Sequence, residues 1–123
     1  MAAVKRKILL VDDLLTSLLM QHVLTKGAYE VVTARDGREA VERALAERPD
    51  LIIIDAATPV TTGFQTCKWL RALEVTKAKP ILLVLTRNDP ARVESGLASG
   101  CTDYILRPFE DSELLAKLKS LGE

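Results

Sequence analysis

The chain holds only two cysteines, Cys67 and Cys101, far apart and outside any metal-ligand spacing. That scarcity argues against a disulfide framework or a thiolate metal site; buried free thiols pack as small hydrophobes, and both are expected in the core. An excess of either charge is also missing, with 17 Lys and Arg against 17 Asp and Glu. The balance removes the usual argument for nucleic acid or an anionic membrane surface as a direct partner. The opening MAAVKRK has no apolar h-region, and no apolar run approaches the length of a bilayer span, so a cytoplasmic protein without membrane contact is expected. Internal repeats, low-complexity tracts and linkers are absent, and residues 1–123 read as one domain. No G-x-G-x-x-G follows the first apolar run, which disfavours dinucleotide binding.

What the chain does have is a hydrophobic content of 48%, enough for a real core, arranged in five apolar runs with helical patterns between them. Ile8 to Val11, Leu51 to Ile54 and Ile81 to Leu85 are continuous rather than alternating, which predicts strands buried on both faces of a parallel sheet. Glu30 to Ala34 and Tyr104 to Leu106 are more polar at their ends and read as edge strands. The first connector, Leu14 to Lys26, carries Leu15, Leu18, Leu19 and Val23 at helical spacing and stops at Gly27. The second offers Asp36 and Glu39 as a variant capping box, Ala40, Val41, Ala44 and Leu45 as one apolar face, and Pro49 as its end. A third helix holds Phe64, Cys67 and Leu70; a fourth has Asp89 as cap and Pro90 at its first position; the last, from about Asp111, turns Leu114, Leu115, Leu118 and Leu121 inward. Five βα repeats imply right-handed crossovers, helices on both faces, and function at the carboxyl ends of the strands.

Polar residues gather at those ends: Asp12 and Asp13 after the first strand, Asp55 after the third, Thr86 after the fourth and Arg107 after the fifth. Carboxylates converging on one crevice repel each other, and a hard divalent cation such as Mg²⁺ is the usual remedy. One carboxylate oxygen could then act as nucleophile toward a phosphoryl group, with the Thr86 hydroxyl and the Arg107 cation on the remaining oxygens. Taken singly, an Asp after a strand is a cap or turn residue, and a Thr there means less still. Their joint placement at four strand ends is what points to a site.

The segments ILLVDD (8–13), ARDGREAVE (34–42), PDLIIIDAATPVTTGF (49–64), ILLVLT (81–86) and GCTDYILRPF (100–109) give the chain a resemblance, over essentially its whole length, to the receiver domain of bacterial two-component response regulators. The resemblance implies a flavodoxin-like (βα)5 fold, a doubly wound five-stranded parallel sheet in the order 2-1-3-4-5. It implies that Asp55 accepts a phosphoryl group from a histidine kinase or histidine phosphotransfer protein. Mg²⁺ (or Mn²⁺) would be held by Asp12, Asp13, Asp55 and the backbone carbonyl of Ala57. Thr86 and Tyr104 match the switch pair, and Pro108 matches a proline whose preceding bond is often cis. A downstream protein would read the face of the fourth helix, fifth strand and fifth helix. Such a domain catalyses its own phosphorylation but is a switch rather than a turnover enzyme, whether it stands alone or is excised from a longer chain.

The chain departs from this pattern at several positions. Arg107 stands where the family has a lysine, and a planar fork does not replace a compact ammonium without altered geometry. Arg87 follows the threonine where a small residue is common, and either points to solvent or adds an accessory cation over Asp55. Thr58 replaces the usual methionine, and Ala57 has no functional side chain. Leu14 and Leu15 follow the acidic pair and are either part of a kinase-docking patch or ordinary packing. Gly96 inside the fourth helix either weakens it or serves close packing. The alternative function is a pseudo-receiver, a protein-interaction module whose recognition no longer depends on phosphate. A haloacid-dehalogenase-like phosphatase is disfavoured, because the second acid it requires two residues after Asp55 is here Ala57.

Overall fold

In the computed structural model, which describes residues 5–12, 14–56, 62–86 and 90–122 and all of their side chains except those of 14–17, the continuous apolar runs are inner strands. These are β1 (Lys7–Val11), β3 (Leu51–Asp55) and β4 (Ile81–Leu85), with β2 (Glu30–Ala34) and β5 (Asp103–Leu106) at the edges. All pairs are parallel, in the order β2-β1-β3-β4-β5. The expected order and the expected edges are both found. Residues 8–11, 51–55 and 81–85 are buried without alternation because helices cover both faces of the sheet.

Five helices complete the alternation: α1 (Leu14–Lys26), α2 (Gly37–Glu47), α3 (Gly63–Ala72), α4 (Pro90–Ala98) and α5 (Asp111–Leu121). On one face, Met20 and Leu24 of α1 and Leu114 and Leu118 of α5 pack on Ile8, Leu10, Ile53 and Val84. On the other, Ala40 and Ala44 of α2 and Cys67 and Leu70 of α3 pack on Leu9, Val11, Ile52, Ile54 and Leu83. No helix among the described residues is long and apolar enough to cross a membrane.

The helix ends follow local chemistry. The Asp36 Oδ1 accepts from Glu39 N at 2.9 Å, while the Glu39 side chain reaches back past the cap to accept from Arg35 N at 3.0 Å. Arg48, in the left-handed region with φ 50, closes α2, so the turn that ends the helix precedes Pro49. Thr62 caps α3 by accepting from Gln65 N, and Glu110 with Glu113 forms a capping box at α5. Pro90 does open α4; Asp89, its expected cap, lies outside the described residues.

Three expectations about packing are corrected. Leu18 and Leu19 are 58% and 74% exposed, because the apolar residues of α1 are spread over more than one face and the sheet takes the stripe of Met20, Val23 and Leu24 instead. Leu45 is 55% exposed: Ala40 and Ala44 set α2 close to the sheet, and the residue after Ala44 is turned outward by about 100°. Cys67 is buried, but Cys101 packs on the core while remaining half-buried; both are free thiols.

Arg71 of α3 holds together the amino-terminal edge of β4 and β5. Its Nε donates to Gly100 O at 2.7 Å, Nη1 to the carbonyls of Thr76, Lys77 and Lys79, and Nη2 to Thr102 Oγ1 at 3.1 Å. The Thr76 hydroxyl, itself buried, donates to Leu70 O.

Candidate functional site

Each described residue of the expected constellation stands at, or one step past, the end of a strand, and backbone hydrogen bonds extend the ladder to fix it there. Asp12 N donates to Ala34 O at 3.0 Å, Ala56 N to Val84 O at 3.0 Å, and Arg107 N to Leu85 O at 2.8 Å. The side chains of Asp12, Asp55 and Arg107 therefore meet at the carboxyl edge of the sheet. Arg107 Nη2 lies 3.3 Å from Asp55 Oδ2 and 3.6 Å from Asp12 Oδ2. Asp12 is 2% exposed and Asp55 9%, so the interaction sits in a partly desolvated setting where Coulomb terms are felt more than at the surface. The Arg107 guanidinium also lies 5.9 Å from the ring centre of Phe109.

The wall beside Asp55 is the start of α3. Gly63 N donates to Ala56 O at 3.2 Å, and a Cβ on Gly63 would lie 2.6 Å from Ala56 Cα and 2.7 Å from Asp55 O. A missing side chain lets the helix approach the strand end this closely. Sequence reasoning passed over Gly63; the T-G-F-Q pattern, a cap followed three residues later by Gln65, is the signal that marks the helix start there.

Thr86 follows β4, the strand between β3 and β5, at the same edge and is exposed. Tyr104 on β5 is half-buried and packs against the core on the α2 and α3 side. The peptide bond between Arg107 and Pro108 is cis. Gly96 is buried in α4, where a Cβ would come 3.0 Å from Leu83 Cδ1, so it serves close packing. Asp13, Ala57, Thr58 and Arg87 lie outside the described residues, as do the side chains of Leu14 and Leu15. The structure thus brings together Asp12, Asp55 and Arg107 and places Thr86 on their edge.

Two carboxylates facing one position form an all-oxygen donor set of the kind hard divalent cations take. Among the described residues no third ligating side chain joins them; Asp13 is next to Asp12 in the chain. Both Oδ2 atoms face one cationic nitrogen, so the two acids direct their negative charge at the same position.

The sequence profile of the response regulator receiver domain matches residues 8–119. The chain is 37% identical over 119 residues to the alkaline phosphatase synthesis transcriptional regulatory protein PhoP of Bacillus subtilis, covering 94% of this chain and 48% of that protein. It therefore spans about half the length of such relatives. Among solved structures, Vibrio cholerae chemotaxis protein CheY4 superposes with a TM-score of 0.91 at 38% identity, covering 96% of this chain and 99% of that one. The receiver domain of sensor histidine kinase PA1611 from Pseudomonas aeruginosa, with magnesium coordinated in its active site cleft, superposes with a TM-score of 0.89 at 29% identity, covering 96% and 98%.

Proposed function

The chain belongs to the response regulator receiver family, and from that premise we propose that it is a phosphoacceptor switch in two-component or phosphorelay signalling. Asp55 takes the phosphoryl group from the phosphohistidine of a histidine kinase or histidine phosphotransfer protein. The observation that supports this most is the convergence of Asp12 and Asp55 on Arg107 at the carboxyl edge of the sheet. An Asp55 carboxylate oxygen attacks phosphorus; a P–O bond forms as the P–N bond to the donor imidazole breaks, and the imidazole nitrogen keeps the electron pair. Asp12, Asp13, Asp55 and the Ala57 carbonyl would hold Mg²⁺ or Mn²⁺, which when bound neutralises charge on the phosphoryl oxygens.

Arg107 and the Thr86 hydroxyl donate to the remaining phosphoryl oxygens, and Tyr104 responds from β5. The domain is a switch that catalyses its own phosphorylation and dephosphorylation. A downstream protein reads the face of α4, β5 and α5, where Leu97 is 53% exposed. The phosphodonor docks along α1, supported by exposed Leu18 and Leu19 and by an apolar recess of about 320 Å³ that Leu19, Val23, Phe109 and Leu114 line beside Arg107.

The test is acetyl phosphate with Mg²⁺ followed by intact mass. A phosphoryl adduct on the wild type that is absent from Asp55→Ala is expected. The pseudo-receiver is the second reading, favoured by the guanidinium that already engages both carboxylates. No adduct under saturating donor, with partner binding unchanged by Asp55→Ala, would establish it instead.

A further inference from the structure

Arg107 does more than stand near a phosphoryl position: one nitrogen, Nη2, faces the Oδ2 atoms of both carboxylates, at 3.3 Å and 3.6 Å. Those carboxylates are also the oxygens a divalent cation needs, and two cations cannot occupy one position. The backbone of Arg107 cannot retreat, since its N–H is tied to Leu85 O and the residue stands directly after β5. Its side chain can, because the recess beside it offers apolar surface from Met20, Val23 and Phe109, on which an arginine stem can lie with its head in water.

We propose that Arg107 is a tethered counter-ion that competes with the divalent cation for Asp12 and Asp55, so that metal entry requires withdrawal of the guanidinium. The inference deepens the phosphoacceptor reading and depends on it. A delocalised, always-charged fork with several donors holds a carboxylate pair more persistently than a flexible ammonium does. The chain should therefore bind Mg²⁺ more weakly than a variant without this cation.

The experiment is titration of the full chain with MgCl₂ alone, without phosphodonor, at fixed ionic strength, followed by calorimetry or by amide shifts in NMR spectra. Arg107→Gln is expected to bind Mg²⁺ about tenfold more tightly than wild type, the scale of one partly buried ion pair, with Arg107→Lys in between. Circular dichroism melts establish that each variant is folded; should Arg107→Gln fail, Arg107→Lys against wild type decides. Equal affinities in wild type and variants, or weaker binding by the variants, overturn the counter-ion proposal and leave the phosphoacceptor reading standing. Absence of Mg²⁺ binding by wild type and both variants, at any concentration short of nonspecific effects, overturns both.

Discussion

Replacing Gly63 with alanine tests whether the close approach of α3 positions Asp55. The added Cβ would stand 2.6 Å from Ala56 Cα and 2.7 Å from Asp55 O, against an ordinary separation of about 3.5–4.0 Å between nonbonded carbons. Both obstructing atoms are backbone, so no change of rotamer relieves them. Overpacking of this kind costs about 1–3 kcal/mol, and the better helix propensity of alanine returns up to about 1 kcal/mol. A net loss of about 1–2 kcal/mol should lower the urea midpoint by roughly 1 M.

The displaced strand end carries the proposed phosphoacceptor away from Asp12 and Arg107. Misplacement of reacting groups by about 1 Å can cost a hundredfold, so the rate of adduct formation from acetyl phosphate should fall at least about tenfold. Gly96→Ala is the internal contrast. Its nearest neighbours are the side-chain ends of Leu83 at 3.0 Å and Phe64 at 3.5 Å, which can yield, and the helix-propensity gain offsets the crowding. Its midpoint should change by less than about 0.5 M and its rate hardly at all. Wild-type midpoint and rate in Gly63→Ala would refute the reasoning; equal losses in both variants would show that the effect is not specific to the end of β3.

Two further outcomes follow from the packing. Arg71→Met should lower the melting temperature by roughly 10 °C, because several carbonyls at the start of β4 and β5 lose a charged donor at about 1.5–3 kcal/mol for the group, and Arg71→Lys should recover only part of it; an unchanged melt would sink the clasp. Burial pushes the Cys101 thiol up to about 11 and also raises Cys67. The reactive thiolate of Cys101 is therefore about one part in a thousand at pH 8 and grows about tenfold per pH unit until near 11. Iodoacetamide labelling of the folded chain, read by mass, should rise with pH in that way and lag far behind a urea-unfolded control; equal rates at pH 8 would contradict it.

The parallel sheet was legible because burial on both faces leaves a direct trace: Ile8–Val11, Leu51–Ile54 and Ile81–Leu85 have no polar interruption. Strand ends were legible for the same reason, since each apolar run stops at a polar side chain, Asp12, Asp55 or Thr86, that marks where the chain leaves the sheet. The buried stripe of α1 was not legible. With Leu at 14, 15, 18 and 19 and Met20, Val23 and Leu24 following, two stripes satisfy helical spacing, and only the sheet decides between them. Arg71 left no signal either, because its acceptors are main-chain carbonyls and a hydroxyl up to 31 positions away, and any residue type could supply most of them. A reading by residue type cannot find a clasp built on backbone.

Arg107 lies between these cases. Its place after an apolar strand shows that a cation reaches the carboxyl edge, and the distances show that one nitrogen serves two acids. Two carboxylates and Arg107 carry a net charge of −1 among themselves, and a divalent cation placed between the two acids supplies one positive charge more than the guanidinium it displaces. On the proposed mechanism, transfer then converts the Asp55 carboxylate into an acyl phosphate, and the negative charge moves outward onto the phosphoryl oxygens. A guanidinium already withdrawn by metal entry is free to follow that charge, whereas one still held by Asp12 would not be. On that proposal metal entry and phosphate recognition would be ordered steps of one cation, and a variant that binds Mg²⁺ more tightly through loss of Arg107 should hold its phosphoryl group with one donor fewer.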